Sequence, residues 1–359
     1  MSSFAIVTTL GLVAVTFIMV EFREMLRVTL FGSKNSASTG TTFEPERDIR
    51  SLAGKVILIT GGAGGLGRQT VTELARYGRP ARIYIADMAI DESAKPTLID
   101  QITKDAYDGK DDDSSTRTTI RLLDLDLTSF ASVRACATEF LSKEGRLDIL
   151  ILNAGVIRVP PMLTSQGYEL HFGLNYLGHA LLTRLLLPTL QRTAQSNDND
   201  VRIVVISSEG HAIAPKGGIQ YGSVKSNCAE MSYAQRYGQS KLALIGLMRE
   251  LSSRYPEIKS AAVHPGRILT GMADSLRKES LFARITTPIA PLICVPVTVG
   301  IRNHLWVATS PEVVSGTYYE PVGVPGKTSK EAEDKDMPQR LWEWTSNELK
   351  DLGVLNEVN

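Results

Sequence analysis

The chain has 359 residues, a length that allows one large α/β domain with extensions or two small domains. Its 39 Lys and Arg residues balance 39 Asp and Glu residues, which argues against nucleic acid as the main partner because phosphate binding needs an excess or a stripe of basic residues. Three cysteines far apart exclude a disulfide scaffold and fit a reducing compartment, and the 43% hydrophobic content excludes global disorder.

The first element in chain order is an uncharged apolar segment, residues 4–20 (FAIVTTLGLVAVTFIMV). Its length as a helix would be about 25 Å, slightly less than a bilayer core of roughly 30 Å. The segment has no basic start, and residues 20–23 (VEFR) form a poor cleavage site, which disfavours a secretory signal. We therefore predict an uncleaved membrane-anchor helix within residues 1–32, with a helix packed on the protein's own core and a cleaved signal as alternatives.

Basic residues follow the apolar segment at Arg23, Arg27 and Lys34, which places the main domain on the cytoplasmic side of the membrane. Residues 33–51 are polar and rich in Ser, Thr and Gly, so we expect a linker there. One α/β domain over residues 52–359 then accounts for the rest of the chain.

From Lys55 onward, short apolar runs alternate with helical patterns. Continuous apolar runs suit strands buried on both faces of a parallel sheet, and repeated β-α alternation predicts a doubly wound α/β fold with right-handed crossovers. The predicted strands are residues 56–60, 82–86, 119–123, 147–152, 202–207 and 260–264. The predicted helices include residues 68–77, 129–142, 168–190 and 237–254.

Glycines cluster where the first predicted strand meets the first helix. Gly62, Gly64 and Gly67 match the pattern G-x-G-x-x-G. Gly61, Gly65 and Gly67 also match T-G-x3-G-x-G. Such a turn lets the backbone approach a pyrophosphate closely and aims the helix N-terminus at it, so the spacing predicts a dinucleotide site.

An acidic residue, Asp87, ends the second predicted strand, twenty residues beyond Gly67. This position suits a hydrogen bond to an adenosine ribose, and a helix N-cap is the alternative. Because Asp87 would repel a 2′-phosphate, the sequence favours NAD over NADP. Arg68 at the start of the helix could still contact that phosphate, which leaves NADP open.

Tyr237 and Lys241 are four residues apart in YGQSK, so they share one face of a helix. A lysine ammonium beside a phenol stabilises the phenolate, and we expect it to lower the pKa of Tyr237 from about 10 toward the working pH. Tyr237 is thus a candidate general acid/base for an alcohol–carbonyl pair, although the pair taken alone is also common on protein surfaces.

Other polar residues close the predicted strands or lie between them. Residues 153–155 (NAG) close the fourth strand, Ser207 and Ser208 close the fifth, and Asn175 lies in the helical pattern between these strands. In open α/β sheets, ligands bind beyond the carboxyl ends of the strands, where these residues converge.

Together these motifs resemble the classical short-chain dehydrogenases/reductases over residues 52–319, in the family's order. The resemblance implies a Rossmann-type fold with Asn175, Ser208, Tyr237 and Lys241 as the catalytic tetrad. It also implies that Ser208 orients the substrate oxygen. Lys241 would bind the nicotinamide ribose and tune Tyr237, while Asn175 would hold a water of the proton relay.

The resemblance further implies a cofactor site. Asp126 and Leu127 resemble the adenine-contacting pair, with Asp124 as a rival, and Ile268 and Thr270 are expected near the nicotinamide amide and the diphosphate. The expected cofactor-binding residues are Gly61, Gly65, Leu66, Gly67, Arg68, Asp87, Asp126, Leu127, Asn153, Ala154, Gly155, Asn175, Tyr237, Lys241, Pro265, Gly266, Ile268 and Thr270.

Within the family, the chain is similar to retinol-dehydrogenase-like and fungal oxidoreductase members through residues 175–179 (NYLGH), 264–266 (HPG) and 315–319 (SGTYY). One departure is the long separation of Ser208 and Tyr237, which predicts an extra loop over the site at residues 211–233. Another is Asp87-Met88, which stands where NADP-using relatives carry a basic pattern.

We therefore predict an oxidoreductase that moves a hydride between a nicotinamide cofactor and a lipophilic alcohol or ketone. The alternatives are reduction of a C=C bond or epimerisation on the same fold, and a non-catalytic nucleotide-binding scaffold. No metal is expected, because the five histidines lack metal-ligand spacing and no Cys-x-x-Cys occurs. The apolar residues 281–307 are interpreted as a wall of the substrate pocket or a membrane-facing flap, with a second membrane span as the alternative.

The expected setting is a single-pass protein of the endoplasmic reticulum membrane whose catalytic domain faces the cytosol. Since members of the family often pair through their long helices, the resemblance also leaves a homodimer open.

Overall fold

A computed structural model gives the fold, and in its described part no helix is both long and apolar enough to cross a membrane. The predicted anchor within residues 1–32 lies outside the described residues, as do Thr270 and residues 281–294. The described residues are 43–108, 116–196, 200–266, 268 and 295–353.

One parallel sheet forms the centre of the molecule. Its strands are β1 (Val56–Thr60), β2 (Arg82–Asp87), β3 (Thr119–Asp124), β4 (Ile149–Leu152), β5 (Arg202–Ile206), β6 (Lys259–Val263) and β7 (Tyr318–Tyr319). They are ordered β3-β2-β1-β4-β5-β6-β7, and every neighbouring pair is parallel. The predicted doubly wound sheet is confirmed, and each predicted strand lies within two residues of an observed one.

The apolar runs form strands because both faces of the sheet are covered. All residues of β1, β4 and β5 are buried, and separate apolar clusters pack on the two faces. The chain moves outward from β1 to β3 and then returns to place β4 on the other side of β1. The strand order therefore reverses between β1 and β4, which is where ligands bind in open α/β sheets.

Helices cover the sheet and bear out the alternating pattern. They are α1 (Pro45–Asp48), α2 (Gly65–Glu73), α3 (Lys95–Tyr107), α4 (Phe130–Lys143), α5 (His179–Ala194), α6 (Tyr233–Arg254), α7 (Val297–Gly300), α8 (Arg302–Thr309) and α9 (Met337–Asp351). A π-helical turn, Phe172–Gly178, leads into α5, and another, Leu74–Gly78, extends α2. Ser232 and Gln235 form a capping box that starts α6 one turn before the predicted start.

The packed body extends into the predicted linker. Phe43 and Ile49 flank α1, and their side chains are buried in the cluster that also contains Leu52. The end of the region 33–51 is therefore part of the core rather than a loose connection.

The loop predicted at residues 211–233 is present between a 3₁₀ turn, Glu209–Ile213, and α6. It packs against α6, where the Gln220 backbone N–H donates to Gln239 Oε1 at 2.8 Å. Val224 is fully buried in the core. The loop is thus fixed to the helix that carries Tyr237.

Candidate active site

The glycine turn between β1 and α2 packs tightly against the end of β1 and the segment that follows β4. Gly61 and Gly65 have φ angles of 67° and 53°, a left-handed conformation that favours glycine. A Cβ on Gly67 would overlap the carbonyl oxygen of Gly61, and a Cβ on Gly61 would lie 2.9 Å from the Cα of Ala154. The turn therefore needs glycine at Gly61 and Gly67 to let α2 and the end of β4 approach the end of β1.

A chain of hydrogen bonds fixes this turn to the centre of the site. Thr60 Oγ1 accepts from the backbone N–H groups of Asn153 and Ala154, at 2.9 and 3.0 Å. Its hydroxyl hydrogen is thus directed to His179 Nε2, at 2.8 Å. His179 Nδ1 then donates to the carbonyl oxygen of Asn175, also at 2.8 Å. Burial lowers the pKa of His179 to about 4, so the ring is neutral and this tautomer persists at neutral pH.

Asp87 holds the glycine turn from the neighbouring strand. Its Oδ2 accepts from the backbone N–H of Ala63 at 2.9 Å, and its Oδ1 accepts from that of Met88 at 2.8 Å. The alternative of a helix N-cap is wrong, because the next helix, α3, begins only at Lys95 with Ala94 before it. Asp87 therefore lies at the end of β2, beside the glycine turn.

The other candidates on the adenosine side have partners within the protein. Arg68 forms an ion pair with Asp105 at 2.9 Å. Asp126 Oδ1 accepts from the backbone N–H and the hydroxyl of Thr128, at 2.8 and 2.7 Å, just before α4. Its rival Asp124 is half-exposed at the end of β3 and pairs with Lys95 at 3.1 Å.

Asn175 lies in the π-helical turn before α5 and is fully buried. Its Oδ1 accepts from the backbone N–H of Val156 at 2.9 Å, and its Nδ2 donates to the carbonyl oxygen of Val156 at 3.1 Å. Nδ2 also donates to Ser240 Oγ at 2.9 Å, and Ser240 in turn donates to the carbonyl oxygen of Tyr237 at 2.7 Å. Asn175 thus connects the segment after β4 to helix α6.

Lys241 is buried on the face of α6 that meets the end of β5. Its Nζ donates to the carbonyl oxygen of Ile206 at 2.8 Å and lies 5.6 Å from the centre of the Tyr237 ring. Burial lowers the pKa of Lys241 to about 7. The amine can therefore change its charge near neutral pH.

Ser208 Oγ accepts from the backbone N–H of Gly210 at 3.0 Å, and a Cβ built on Gly210 would lie 3.3 Å from this oxygen and 2.9 Å from Cε1 of the Tyr237 ring. Burial raises the pKa of Tyr237 to about 12; the hydroxyl of Ser208 opposes this rise and the charge of Glu209 adds to it. The sequence predicted that Lys241 lowers the pKa of Tyr237, and this prediction is wrong for the protein's own side chains. The amine of Lys241 does not counteract the larger effect of burial, which raises that pKa.

The neighbouring serine has a different contact. Ser207 donates to the carbonyl oxygen of Lys241 at 2.8 Å and helps to fix α6 to the end of β5. Of the two serines, Ser208 is the one whose hydroxyl lies beside the Tyr237 ring, next to Gly210.

The segment after β6 follows the same edge of the sheet. Gly266 has a φ angle of 88°, and Ile268 pairs with Val295 in an isolated bridge. The space beside Gly300 is filled by the side chain of Ile268 and by the carbonyl oxygen of Pro265. Helix α7 is therefore packed directly on the predicted nicotinamide segment.

A buried ionic network behind Tyr237 escaped the sequence analysis. Glu169 Oε1 lies 2.8 Å from His171 Nδ1 and 3.3 Å from Arg236 Nε, and all three side chains are almost wholly buried. The ring of His171 meets that of Tyr237 edge-on, with 6.2 Å between ring centres. The one sequence feature that pointed to this network is the charged Arg236, directly before Tyr237. Its partners could not be identified because they lie more than 60 residues earlier in the chain.

Comparison with known proteins matches residues 55–235 to the family model described as short chain dehydrogenase. An uncharacterized oxidoreductase of Schizosaccharomyces pombe is 36% identical over 86% of this chain and 88% of its own length. Human retinol dehydrogenase 14 is 35% identical over 81% of this chain and 85% of its own length.

Among solved structures, the RhlG/NADP active-site complex of Pseudomonas aeruginosa is similar, with a TM-score of 0.57 and 25% identity. The similarity covers 77% of this chain and 96% of the Pseudomonas chain.

Proposed function

Because this chain belongs to the short-chain dehydrogenase/reductase family and is an NAD(P)-dependent dehydrogenase or reductase, we propose that it interconverts a lipophilic alcohol and its ketone. The proposed reacting groups are Tyr237 and Ser208, supported by Lys241 and Asn175. The observation that carries the proposal is that Ser208 Oγ and the Tyr237 ring lie together beside Gly210, with the buried Lys241 Nζ 5.6 Å from the centre of that ring. Carbonyl reduction needs a proton donor and a second hydrogen-bonding group at the same oxygen, and this pair offers both.

The glycine turn fits a nicotinamide dinucleotide. Cβ atoms built on Gly64 and Gly65 meet nothing within 4 Å, whereas those on Gly61 and Gly67 meet neighbouring atoms. The side of the turn at Gly64 and Gly65 therefore has open space in which a ligand can lie. The N-terminus of α2 has no side-chain cap, and its N–H groups suit a pyrophosphate. The residues proposed to hold the cofactor are those predicted from the sequence: Gly61, Gly65, Leu66, Gly67, Arg68, Asp87, Asp126, Leu127, Asn153, Ala154, Gly155, Asn175, Tyr237, Lys241, Pro265, Gly266, Ile268 and Thr270.

Tyr237 is proposed to donate its phenolic proton to the substrate carbonyl oxygen during reduction, while Ser208 holds that oxygen. Hydride transfer is the chemistry that the nicotinamide ring supplies when bound. A phenol whose pKa is raised to about 12 carries its proton at neutral pH, which suits the donor role. In the oxidative direction, the same group must first lose its proton and then accept the proton of the alcohol.

Lys241 and Asn175 are proposed to supply the surroundings that this proton transfer needs. With a pKa of about 7, Lys241 gains a charge as the pH falls, and that charge stabilises the phenolate left after proton donation. Asn175 uses both Nδ2 hydrogens within the protein, whereas its Oδ1 accepts from Val156 and keeps one lone pair. That lone pair is the proposed position for the water of the proton relay.

We propose that NAD is preferred over NADP. The carboxylate of Asp87, beside the glycine turn, would repel a 2′-phosphate, and the nearby Arg68 is paired with Asp105. NADP is the competing outcome, since the Pseudomonas structure holds that cofactor.

A lipophilic substrate is supported by two observations. The human relative is named a retinol dehydrogenase. In addition, Met162 and Leu163 are each 49% exposed, on the segment between β4 and the turn that carries Asn175. Apolar side chains at this position suit an apolar alcohol or carbonyl compound.

The proposed reaction is tested by a screen of retinoid, steroid and fatty alcohols and ketones, followed by cofactor absorbance and product analysis. We expect turnover of a lipophilic alcohol or of its carbonyl counterpart, with loss of that turnover in Ser208→Ala. Products with a reduced C=C bond or an inverted centre would favour the rival reactions. Cofactor binding without turnover of any compound would favour the scaffold.

The N-terminal residues 1–32 are proposed to anchor the protein as a single-pass helix in the endoplasmic reticulum membrane, with the domain 52–359 facing the cytosol. The uncharged apolar sequence of residues 4–20 is the support for this proposal. A homodimer through the long helices is proposed as well, because members of the family often pair in this way.

A further inference from the structure

Two carboxylates and one imidazole meet at the edge of the sheet beside the active site. Glu209 follows β5, His264 follows β6, and Glu320 follows β7. One potential ligand atom from each residue lies within 4.8 Å of the other two. These residues are far apart in the sequence, and the parallel strands bring them together because they end at the same edge.

Two members of the cluster are buried, and Glu209 is partly exposed. Glu320 is only 8% exposed and His264 only 5% exposed. Glu320 Oε2 accepts from the hydroxyl of Tyr318 at 2.6 Å. Its other oxygen, Oε1, is buried and has no hydrogen-bond partner among the residues that the structure describes. Because a buried carboxylate oxygen is costly without a partner, this atom indicates a ligand that the protein does not itself provide.

We propose that Glu209, His264 and Glu320 bind one divalent transition-metal cation of the Zn²⁺ class. An imidazole nitrogen and two carboxylate oxygens suit Zn²⁺ or Mn²⁺, whereas Mg²⁺ prefers oxygen ligands and water. Three protein ligands are also the usual number at a zinc site that keeps one position open.

The spacing of the ligand atoms is compatible with this ion after a small adjustment. His264 Nε2 lies 3.9 Å from the nearer carboxylate oxygen of Glu209. Ligand atoms placed about 2.1 Å from a tetrahedral ion are about 3.4 Å apart, so His264 Nε2 and the Glu209 oxygen need to approach by about 0.5 Å, and the three ligand atoms already lie within 4.8 Å of one another. The proposed site adjoins the hydride-transfer groups, since Glu209 directly follows Ser208 in the chain.

The test is metal binding by the full-length protein in detergent, without nicotinamide cofactor. The protein is dialysed against a chelator and then equilibrated with Zn²⁺, Mn²⁺ or Mg²⁺, and bound metal is measured by elemental analysis. We expect one equivalent of Zn²⁺ per chain, weaker binding of Mn²⁺, and no stoichiometric Mg²⁺. Absence of a stoichiometric Zn²⁺ site, or a preference for Mg²⁺, would overturn the proposal.

Variants locate the site. Glu320→Gln keeps the shape of the side chain but removes its charge, and we expect at least a tenfold loss of Zn²⁺ affinity. Glu209→Gln provides the same test from a second strand if Glu320→Gln fails to fold. Glu343→Gln, on the exposed side of α9, is the matched control and should bind Zn²⁺ like the unmodified protein. Equal Zn²⁺ affinity in a folded Glu320→Gln or Glu209→Gln variant would contradict the assigned ligands.

Discussion

At the scale of single residues, burial sets the protonation of the proposed active site. It raises the pKa of Tyr237 to about 12 and lowers that of Lys241 to about 7, so both groups favour their neutral forms. The hydroxyl of Ser208 opposes the rise for Tyr237. The protein's own side chains therefore present a protonated phenol, which is ready to donate to a carbonyl oxygen.

Asp87 is the residue on which the cofactor preference is predicted to depend. Asp87→Asn removes the charge but keeps an acceptor for the backbone of Ala63, so the turn should survive. We expect kcat/KM for NADP to rise about tenfold relative to NAD, which corresponds to about 1.4 kcal/mol. The measurement is the NAD/NADP ratio of kcat/KM, with the exposed neighbour substituted in Met88→Leu as the control. An unmodified enzyme that already prefers NADP would refute the interpretation of Asp87.

At the scale of elements, the end of β1, the glycine turn and the start of α2 form one closely packed unit. A Cβ on Gly67 would overlap the carbonyl oxygen of Gly61, whereas one on Gly64 would enter open space. Neither position has a positive φ angle, so the two glycines differ in packing rather than in backbone strain.

The substitutions Gly67→Ala and Gly64→Ala test this difference. Gly67→Ala should displace α2 from the turn, lower the free energy of unfolding by about 3 kcal/mol and weaken cofactor binding. Gly64→Ala should leave the stability almost unchanged. Denaturant unfolding and cofactor titration measure both effects, and equal stability of the two variants would show that the described packing is incorrect.

His179 joins β1 to the π-helical turn and makes stability depend on pH. Its pKa is lowered to about 4 in the folded protein, so in the range between about 4 and 6.5 the unfolded chain binds the additional proton. The contribution of His179 is therefore complete above pH 6.5 and decreases as the pH falls. Between pH 7 and pH 5, we expect the protonation of His179 in the unfolded chain to lower the free energy of unfolding by about 2 kcal/mol.

Urea unfolding of His179→Gln at these two pH values measures this contribution. The variant should be less stable at pH 7 but lose less stability on acidification than the unmodified protein. Some loss should remain, because burial also lowers the pKa of His304. An identical pH dependence in the variant would mean that His179 is not held neutral.

The elements also show how far the sequence could predict the molecule. Runs such as Val56–Thr60 predicted strands because both of their sides are buried, and Tyr237 and Lys241 were identifiable because helical spacing is local. The two-residue strand β7 has no periodicity of its own. The cluster around Glu320 and the raised pKa of Tyr237 depend on contacts between distant segments, which spacing does not reveal.

At the scale of the whole molecule, the packed body starts before the predicted domain boundary. Phe43 and Ile49 are buried beside Leu52, in the apolar cluster on one face of the sheet. The connection between the proposed anchor and the core is therefore shorter than the predicted linker of residues 33–51, because the core already includes Phe43.

Two truncations test this arrangement. Deletion of residues 1–32 should release the protein from membranes and leave its thermal stability unchanged. Deletion of residues 1–50 should release it too, but should also lower the melting temperature because Phe43 and Ile49 are lost from the core. Membrane fractionation and thermal unfolding are the measurements. Continued membrane association of the shorter deletion would contradict the anchor, and equal melting temperatures would contradict the packing of Phe43 and Ile49.

The most direct test of the proposed chemistry is the turnover of Tyr237→Phe with a substrate found in the screen. This substitution removes the phenolic hydroxyl and keeps the ring that packs against His171. We predict a fall in kcat of at least a thousandfold, because general-acid catalysis typically contributes about a hundredfold to ten-thousandfold to the rate. The dissociation constant of the cofactor should remain nearly unchanged. Turnover equal to that of the unmodified enzyme would contradict the role of Tyr237 and with it the proposed mechanism.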